Sequence, residues 1–177
     1  MESIKKVSEY IEDWLIEYIK KSKMDGFVVG VSGGIDSAVT SSICARTGYP
    51  TLCLEMGIHQ NKSQVSKARK HIQRLEENYK NVSHQHLSLD KLFDEFRHML
   101  PNSNNEDIKN LALANSRARL RMTTLYYFSS INNYLVAGTG NKVEDFGIGF
   151  YTKYGDGGVD ISPIADLMKS EVFVLAK

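Results

Sequence analysis

Ile4, Val7, Ile11, Trp14, Leu15, Tyr18 and Ile19 recur at intervals of three and four, the stripe of a helix that packs one face on a core. Asp25-Gly26 ends that region, and Phe27-Val28-Val29-Gly30-Val31 follows as a short, continuously apolar run. Such a run suits a strand buried on both faces, as in a parallel sheet. Ser32-Gly33-Gly34 comes directly after it, and a helical pattern runs from Ile35 to about Arg46. The unit is strand, glycine turn, helix.

The unit repeats in outline. Thr51-Leu52-Cys53-Leu54 predicts a second strand, Ser63 to Glu77 a charged helix, and His86-Leu87-Ser88-Leu89 a further strand. A helix over about 90–100, a loop at Pro101-Asn102-Ser103-Asn104-Asn105, and a long helix over about 106–131 lead to the apolar strand Tyr134-Leu135-Val136-Ala137-Gly138. Alternating strands and helices predict an α/β fold with a parallel sheet and helices on both faces. Right-handed crossovers make the sheet doubly wound and put ligands at the carboxyl ends of its strands. Val172, Phe173 and Leu175 place the last residues on a helical pattern that runs to the end of the sequence. The expectation is a single nucleotide-binding domain over 1–177, cut from a longer chain.

Composition narrows the class. The 177 residues are 24% charged with a net charge of +1, which supplies no global field for nucleic acid or acidic lipid and points to a small-molecule partner. No 18-residue apolar run occurs, and the start, Met1 to Lys6, leads into a charged amphipathic stretch, so neither a membrane nor a secretory reading is expected. Cys44 and Cys53 read as reduced core thiols of a cytoplasmic protein. His84 and His86 lie two apart on a strand and face the same way, with no third ligand in view; they read as surface or structural residues.

Gly30-Val31-Ser32-Gly33-Gly34-Ile35-Asp36-Ser37 carries the strongest chemical signal. Adjacent glycines permit positive φ and let backbone N–H groups approach an anion at a helix start, where partial positive charge is concentrated. No lysine follows the glycines, so the loop is not a Walker A motif, and its spacing is not GxGxxG. Asp36 beside a phosphate site makes sense with a cation between them, which makes it a candidate Mg²⁺ ligand. The plain alternative is a Gly-Gly turn in which Asp36 steadies the first helical turn.

Ser32-Gly33-Gly34-Ile35-Asp36-Ser37 resembles the SGGxDS loop of the N-type ATP pyrophosphatases, which cleave ATP between its α and β phosphates while adenylating a substrate. Ala114 to Met122, Gly138 to Glu144 and Phe150 to Asp160 together narrow the resemblance to the ammonia-dependent NAD synthetases. It covers nearly all of the chain from Gly26 onward. It implies an adenine nucleotide alpha hydrolase-like fold and a ligase that turns deamido-NAD and ammonia into NAD through an adenylated intermediate, releasing AMP and pyrophosphate. It also implies a homodimer. A fused glutaminase would need far more chain than is present. The rivals are another ligase of the superfamily and an ATP-binding module without turnover.

Residue by residue, the resemblance assigns ATP to Gly30, Val31, Ser32, Gly33, Gly34, Ile35, Asp36, Ser37, Arg121, Thr139 and Lys169. Deamido-NAD falls to Asn115, Arg119, Tyr126, Lys153 and Asp160, and Mg²⁺ to Asp36 and Glu144. Arg119 and Arg121 are about 200° apart around a helix, so they cannot serve one phosphate from one face. Asp156 is expected near the reacting carboxylate, where an acid can hold ammonium and accept its proton. Lys169 is expected to stabilise the charge that develops as pyrophosphate leaves. Leu120 and Met122, flanking Arg121, predict a substantially buried long helix. Two stretches depart from the family pattern: Leu54 to Gln64 has Gly57 in place of a proline and lacks an acidic run, and the loop after Glu144 is one residue longer than in some relatives.

Overall fold

The computed structural model describes residues 2–177, with side chains from Ile4 onward; Met1, named in the reading of the chain's start, lies outside the described residues. Helix α1 spans Glu2–Ser22, β1 Gly26–Gly30, α2 Ile35–Arg46, β2 Thr51–Gly57 and α3 Lys62–Asn78. After β3 (Val82–Ser88) come α4 (Asp90–His98), α5 (Glu106–Asn132), β4 (Tyr134–Ala137), a π-helical turn (Val143–Gly147) and α6 (Lys169–Leu175). The four strands form one parallel sheet in the order β3-β2-β1-β4.

The connections explain where a ligand belongs. From β1 the chain steps through α2 to β2 and through α3 to β3, then returns by α4 and α5 to β4 on the other side of β1. The carboxyl ends of β1 and β4 therefore diverge, and a crevice opens between them.

Strand alternation sorts the helices. Phe27 and Val29 of β1, with Leu135 and Ala137 of β4, pack with Leu15, Ile19, Ile43 and Val172 of α1, α2 and α6. Cys53 faces the same side, under Ile72 and Leu75 of α3. Val28, Leu52, Leu54 and Val136 point the other way, against Phe93 of α4 and Leu113, Leu120 and Leu125 of α5. Both thiols are buried and free, and burial raises both, Cys53 to about 12.

Three differences from the sequence reading have local causes. Strand β2 runs on to Gly57 because its partner β3 begins early, at Val82, and the two stay in register from Thr51–Val82 to Gly57–Ser88. The β3 edge is mostly exposed, so it lacks the apolar run that marks β1. Helix α5 is half-buried instead of substantially buried: of its residues only Ser129 is buried, while Ile108, Leu111, Tyr127 and Ile131 are exposed.

Candidate active site

The glycine turn after β1 is closed by its own hydrogen bonds. Gly33 sits at φ +85, and a Cβ there would run into the carbonyl oxygen of Gln64 on α3, so only glycine serves. The Ser32 N–H donates to Ser37 Oγ at 3.2 Å, Gly34 N–H donates to Ser32 Oγ at 3.2 Å, and Ser37 Oγ donates to the Gly34 carbonyl at 3.0 Å. Gly34 caps α2 and Ile35 begins it, so Asp36 falls in the first turn.

Asp36 is met there by residues from two distant segments. Its Oδ1 accepts from Asn141 Nδ2 at 3.0 Å and its Oδ2 from Lys169 Nζ at 2.5 Å. Lys169 Nζ also donates to Glu144 Oε1 at 3.0 Å, so one ammonium group bridges the two carboxylates. Burial alone would lower the Lys169 pKa, but its hydrogen bonds to Asp36 and Glu144 outweigh that and raise it. Glu144 lies on the π-helical turn, and Lys142 N–H donates to the Leu167 carbonyl at 3.0 Å, which ties this turn to the segment entering α6.

A crevice of about 640 Å³ opens beside this cluster, at the carboxyl ends of β1, β2 and β4. Gly30, Val31 and Ser32 line one side, Gly138 and Thr139 another, and Gln60, Asn115, Arg121, Thr152 and Asp156 are among its further polar groups. Leu54, Met56, Met122 and Leu125 supply an apolar floor. Arg121 Nε donates to the Met56 carbonyl at 3.2 Å, and burial and then Arg117 act to lower its pKa. Arg119 points elsewhere and donates to the Lys153 carbonyl at 3.1 Å. The two arginines thus face opposite ways on α5, as their spacing predicts.

The segment over 152–158 is a run of turns. Asp156 Oδ1 accepts from the Thr152 N–H at 2.9 Å, and Thr152 Oγ1 donates to Asn115 Oδ1 at 2.9 Å. Lys153 is exposed, with its ammonium 5.1 Å from the centre of the Tyr154 ring. Tyr126 and Asp160 stand together outside the crevice lining: Tyr126 OH donates to Asp160 Oδ1 at 2.9 Å, and Asp160 Oδ2 accepts from the Val136 N–H at 2.8 Å. Burial, then the bond to Asp160, pushes the Tyr126 phenol up to about 12.

Asn141 and Asp145 are site residues that the sequence reading left without a role. Asn141 is fully buried, and its Oδ1 accepts from the N–H groups of Val143 and Glu144, both at 3.1 Å. An asparagine two residues ahead of a turn is a known capping signal, but its bond to Asp36 needs tertiary structure to appear. Burial raises the Asp145 pKa, and the nearby charges of Asp156, Glu144 and Asp36 add to the rise. His84 and His86 face α3: His84 Nδ1 is 2.8 Å from Glu76, and His86 Nδ1 is 3.0 Å from Glu55, which also pairs with Arg69.

A parallel α/β sheet with a glycine anion loop at its switch point, two carboxylates sharing one cation, and an adjoining deep crevice define a nucleotide-binding enzyme fold of the SGGxDS class. The chain matches the NAD synthase family profile over residues 7–177. It belongs to the NAD synthase family. The NH(3)-dependent NAD(+) synthetase of Carboxydothermus hydrogenoformans is 39% identical over 172 residues, which are 96% of this chain and 68% of that protein. The solved structure of NH3-dependent NAD synthetase from Campylobacter jejuni superimposes with a TM-score of 0.87 at 33% identity, over 98% of this chain and 72% of that one. The NMN synthetase of Francisella tularensis gives 0.86 at 34% identity, over 97% of this chain and 68% of that one. The chain thus spans about two thirds of the length of these relatives.

Proposed function

We propose that this chain is an ATP-dependent amide ligase that converts deamido-NAD and ammonia to NAD, with AMP and pyrophosphate as the other products. The observation that carries the reading is the meeting of Asp36, Glu144 and Lys169 beside the crevice that Thr139, Arg121 and Asp156 line. A carboxylate oxygen of the nicotinate ring attacks the α phosphorus, the bond to the β phosphate's bridging oxygen breaks, and pyrophosphate leaves. Ammonia then attacks the acyl carbon, the bond to AMP breaks, and the nitrogen gives up its extra proton.

The chain's own groups divide this work. The N–H groups of the turn over 32–37, with Thr139 and Arg121, hold and orient the phosphates. Lys169, released from the carboxylates, neutralises the charge that builds on pyrophosphate. Asp156, fixed by Thr152, holds ammonium and takes its proton. Asn115, Arg119, Lys153, Tyr126 and Asp160 form the dinucleotide side of the site.

Asp36 and Glu144 fit a magnesium ion: both are oxygen donors and each lies within 3.0 Å of one cationic nitrogen, so these two carboxylates would hold it. When bound, it supplies electrophilic stabilisation of the phosphates. The exposed apolar residues of α5, Ile108, Leu111, Tyr127 and Ile131, support a homodimer, and the buried free thiols suit a reducing cytoplasm. Among the described residues, no helix is long and apolar enough to cross a membrane.

The test is formation of NAD and AMP from deamido-NAD, ATP and ammonia, with Asp36→Ala and Glu144→Ala as controls. Turnover that both variants abolish supports the reading; full activity of both at limiting Mg²⁺ overturns the metal assignment. Nicotinate mononucleotide belongs in the same assay, because a structure named NMN synthetase is as similar as one named NAD synthetase. Binding of ATP–Mg²⁺ without turnover of either substrate identifies a binding module instead.

A further inference from the structure

Asn141 has no exposed surface, and its three side-chain hydrogen bonds all go to the two elements that carry the paired carboxylates. Its Oδ1 accepts from two successive N–H groups of the turn bearing Glu144, and its Nδ2 donates to Asp36 in the first turn of α2. These contacts do not involve Lys169. By occupying Asp36 Oδ1, the amide leaves Oδ2 as the oxygen that faces the shared cation position, where the Lys169 ammonium lies.

We propose that Asn141 is a positioning residue that sets the separation and orientation of Asp36 and Glu144 for a divalent cation; this rests on the reading that the pair binds one. A small hard cation demands near-ideal octahedral geometry, so two carboxylates on separate segments need a fixed spacer. Outer-shell hydrogen bonds of this kind typically govern metal affinity by about 10- to 100-fold. An amide is the side chain that does both jobs, since it accepts from the turn and donates to the acid. A hydroxyl is too short to span both, and a purely apolar residue would leave two part-buried N–H groups without their acceptor.

The experiment measures Mn²⁺ binding by electron paramagnetic resonance to the full chain in complex with α,β-methylene ATP. Asn141→Ala is expected to bind Mn²⁺ at least about 10-fold more weakly than the unaltered chain. In the steady state its apparent Mg²⁺ requirement rises by a similar factor, with the KM for the pyridine nucleotide unchanged and kcat recovered at high Mg²⁺. Asn141→Ser, which keeps one hydrogen-bonding oxygen, is the substitute should alanine fail to fold, with an expected weakening of about 3- to 10-fold. Mn²⁺ affinity within twofold of the unaltered chain, while Asp36→Ala loses binding, overturns the proposal and leaves the metal reading intact. A fall in kcat that no Mg²⁺ concentration restores also overturns it. Unchanged Mn²⁺ binding in Asp36→Ala and Glu144→Ala overturns the metal reading, and the proposal with it.

Discussion

Lys169 Nζ donates to Asp36 Oδ2 across 133 residues of sequence, joining the first residue of α6 to the first turn of α2. The same nitrogen reaches Glu144, so the ammonium occupies the place between two carboxylates that a metal ion would share. On the proposed magnesium reading, lysine and metal compete for one position. Replacing Lys169 with methionine should lower kcat by about 10²–10³, the usual loss when one group that stabilises developing charge is removed. It should also enlarge the rise in melting temperature on adding Mg²⁺, because the carboxylates then await a cation with no internal substitute. Differential scanning fluorimetry across a Mg²⁺ series reads the second effect, and an equal or smaller rise than in the unaltered chain refutes the competition.

Gly33→Ala should fail at two levels. The backbone conformation at φ +85 costs about 1–3 kcal/mol for a residue with a Cβ, and the added methyl meets the Gln64 carbonyl. For a domain of this size each kcal/mol lowers the melting temperature by about 2–4 °C. ATP affinity measured by calorimetry should fall more than stability does, since the N–H groups of the turn are displaced from their ligand. Unchanged ATP binding in a stably folded variant refutes the loop's role.

His71 links stability to pH. Its Nε2 lies 2.9 Å from Ser41 Oγ under α3, and burial followed by the charge of Arg74 lowers its pKa from the ordinary 6.5. A group whose pKa is depressed by folding contributes stability that is fully present above its unfolded value. That contribution is lost as pH falls through the folded value. Denaturant midpoints should therefore drop as the pH falls below about 6.5, and His71→Gln should flatten that drop. An equal slope in the variant removes His71 from the account.

Tyr126→Phe separates anchoring from substrate contact. The phenol's bond to Asp160 holds the strand-like return beside β4, where Ile161 pairs with Ala137. Loss of one hydrogen bond to a solvent-accessible acid should cost about 1 kcal/mol in urea unfolding. The ring itself remains, so the KM for the pyridine nucleotide should hold. A rise in KM above about threefold with unchanged stability would assign the hydroxyl to the substrate instead.

The octet from Gly30 to Ser37 was legible because its chemistry is local: a buried strand, two glycines and a helix start lie side by side in sequence. The alternation of Phe27 and Val29 against Val28 likewise sorts the helices without tertiary knowledge. The duty of Asn141 was not legible, since Asp36 lies 105 residues away and only folding brings them together. Tyr126 and Asp160 were assigned to the dinucleotide, and what sequence alone did not reveal is that each satisfies the other. The half-burial of α5 escaped for a related reason. Its apolar residues run around the whole helix, and such a pattern reports burial without saying whether the same chain or another supplies it.

The segment after β4 leaves and returns at almost one point. Gly138 N–H donates to the Ile161 carbonyl at 2.8 Å, and Asp160 closes on Val136 from the other side. Between those clasps the chain makes a long excursion whose tip, from Phe146 to Phe150, stands exposed. Loop-closure entropy grows only slowly with length, so a clasped excursion absorbs an added residue at its tip for a few tenths of a kcal/mol or less. Glu144 is held on both sides, its N–H by Asn141 Oδ1 and its carbonyl by the Phe150 N–H at 2.7 Å. The excursion thus carries the carboxylate at its base and, through Gly149 and Phe150, part of the crevice wall at its tip, so a change of length at the tip is cheap for the fold but is felt by the site.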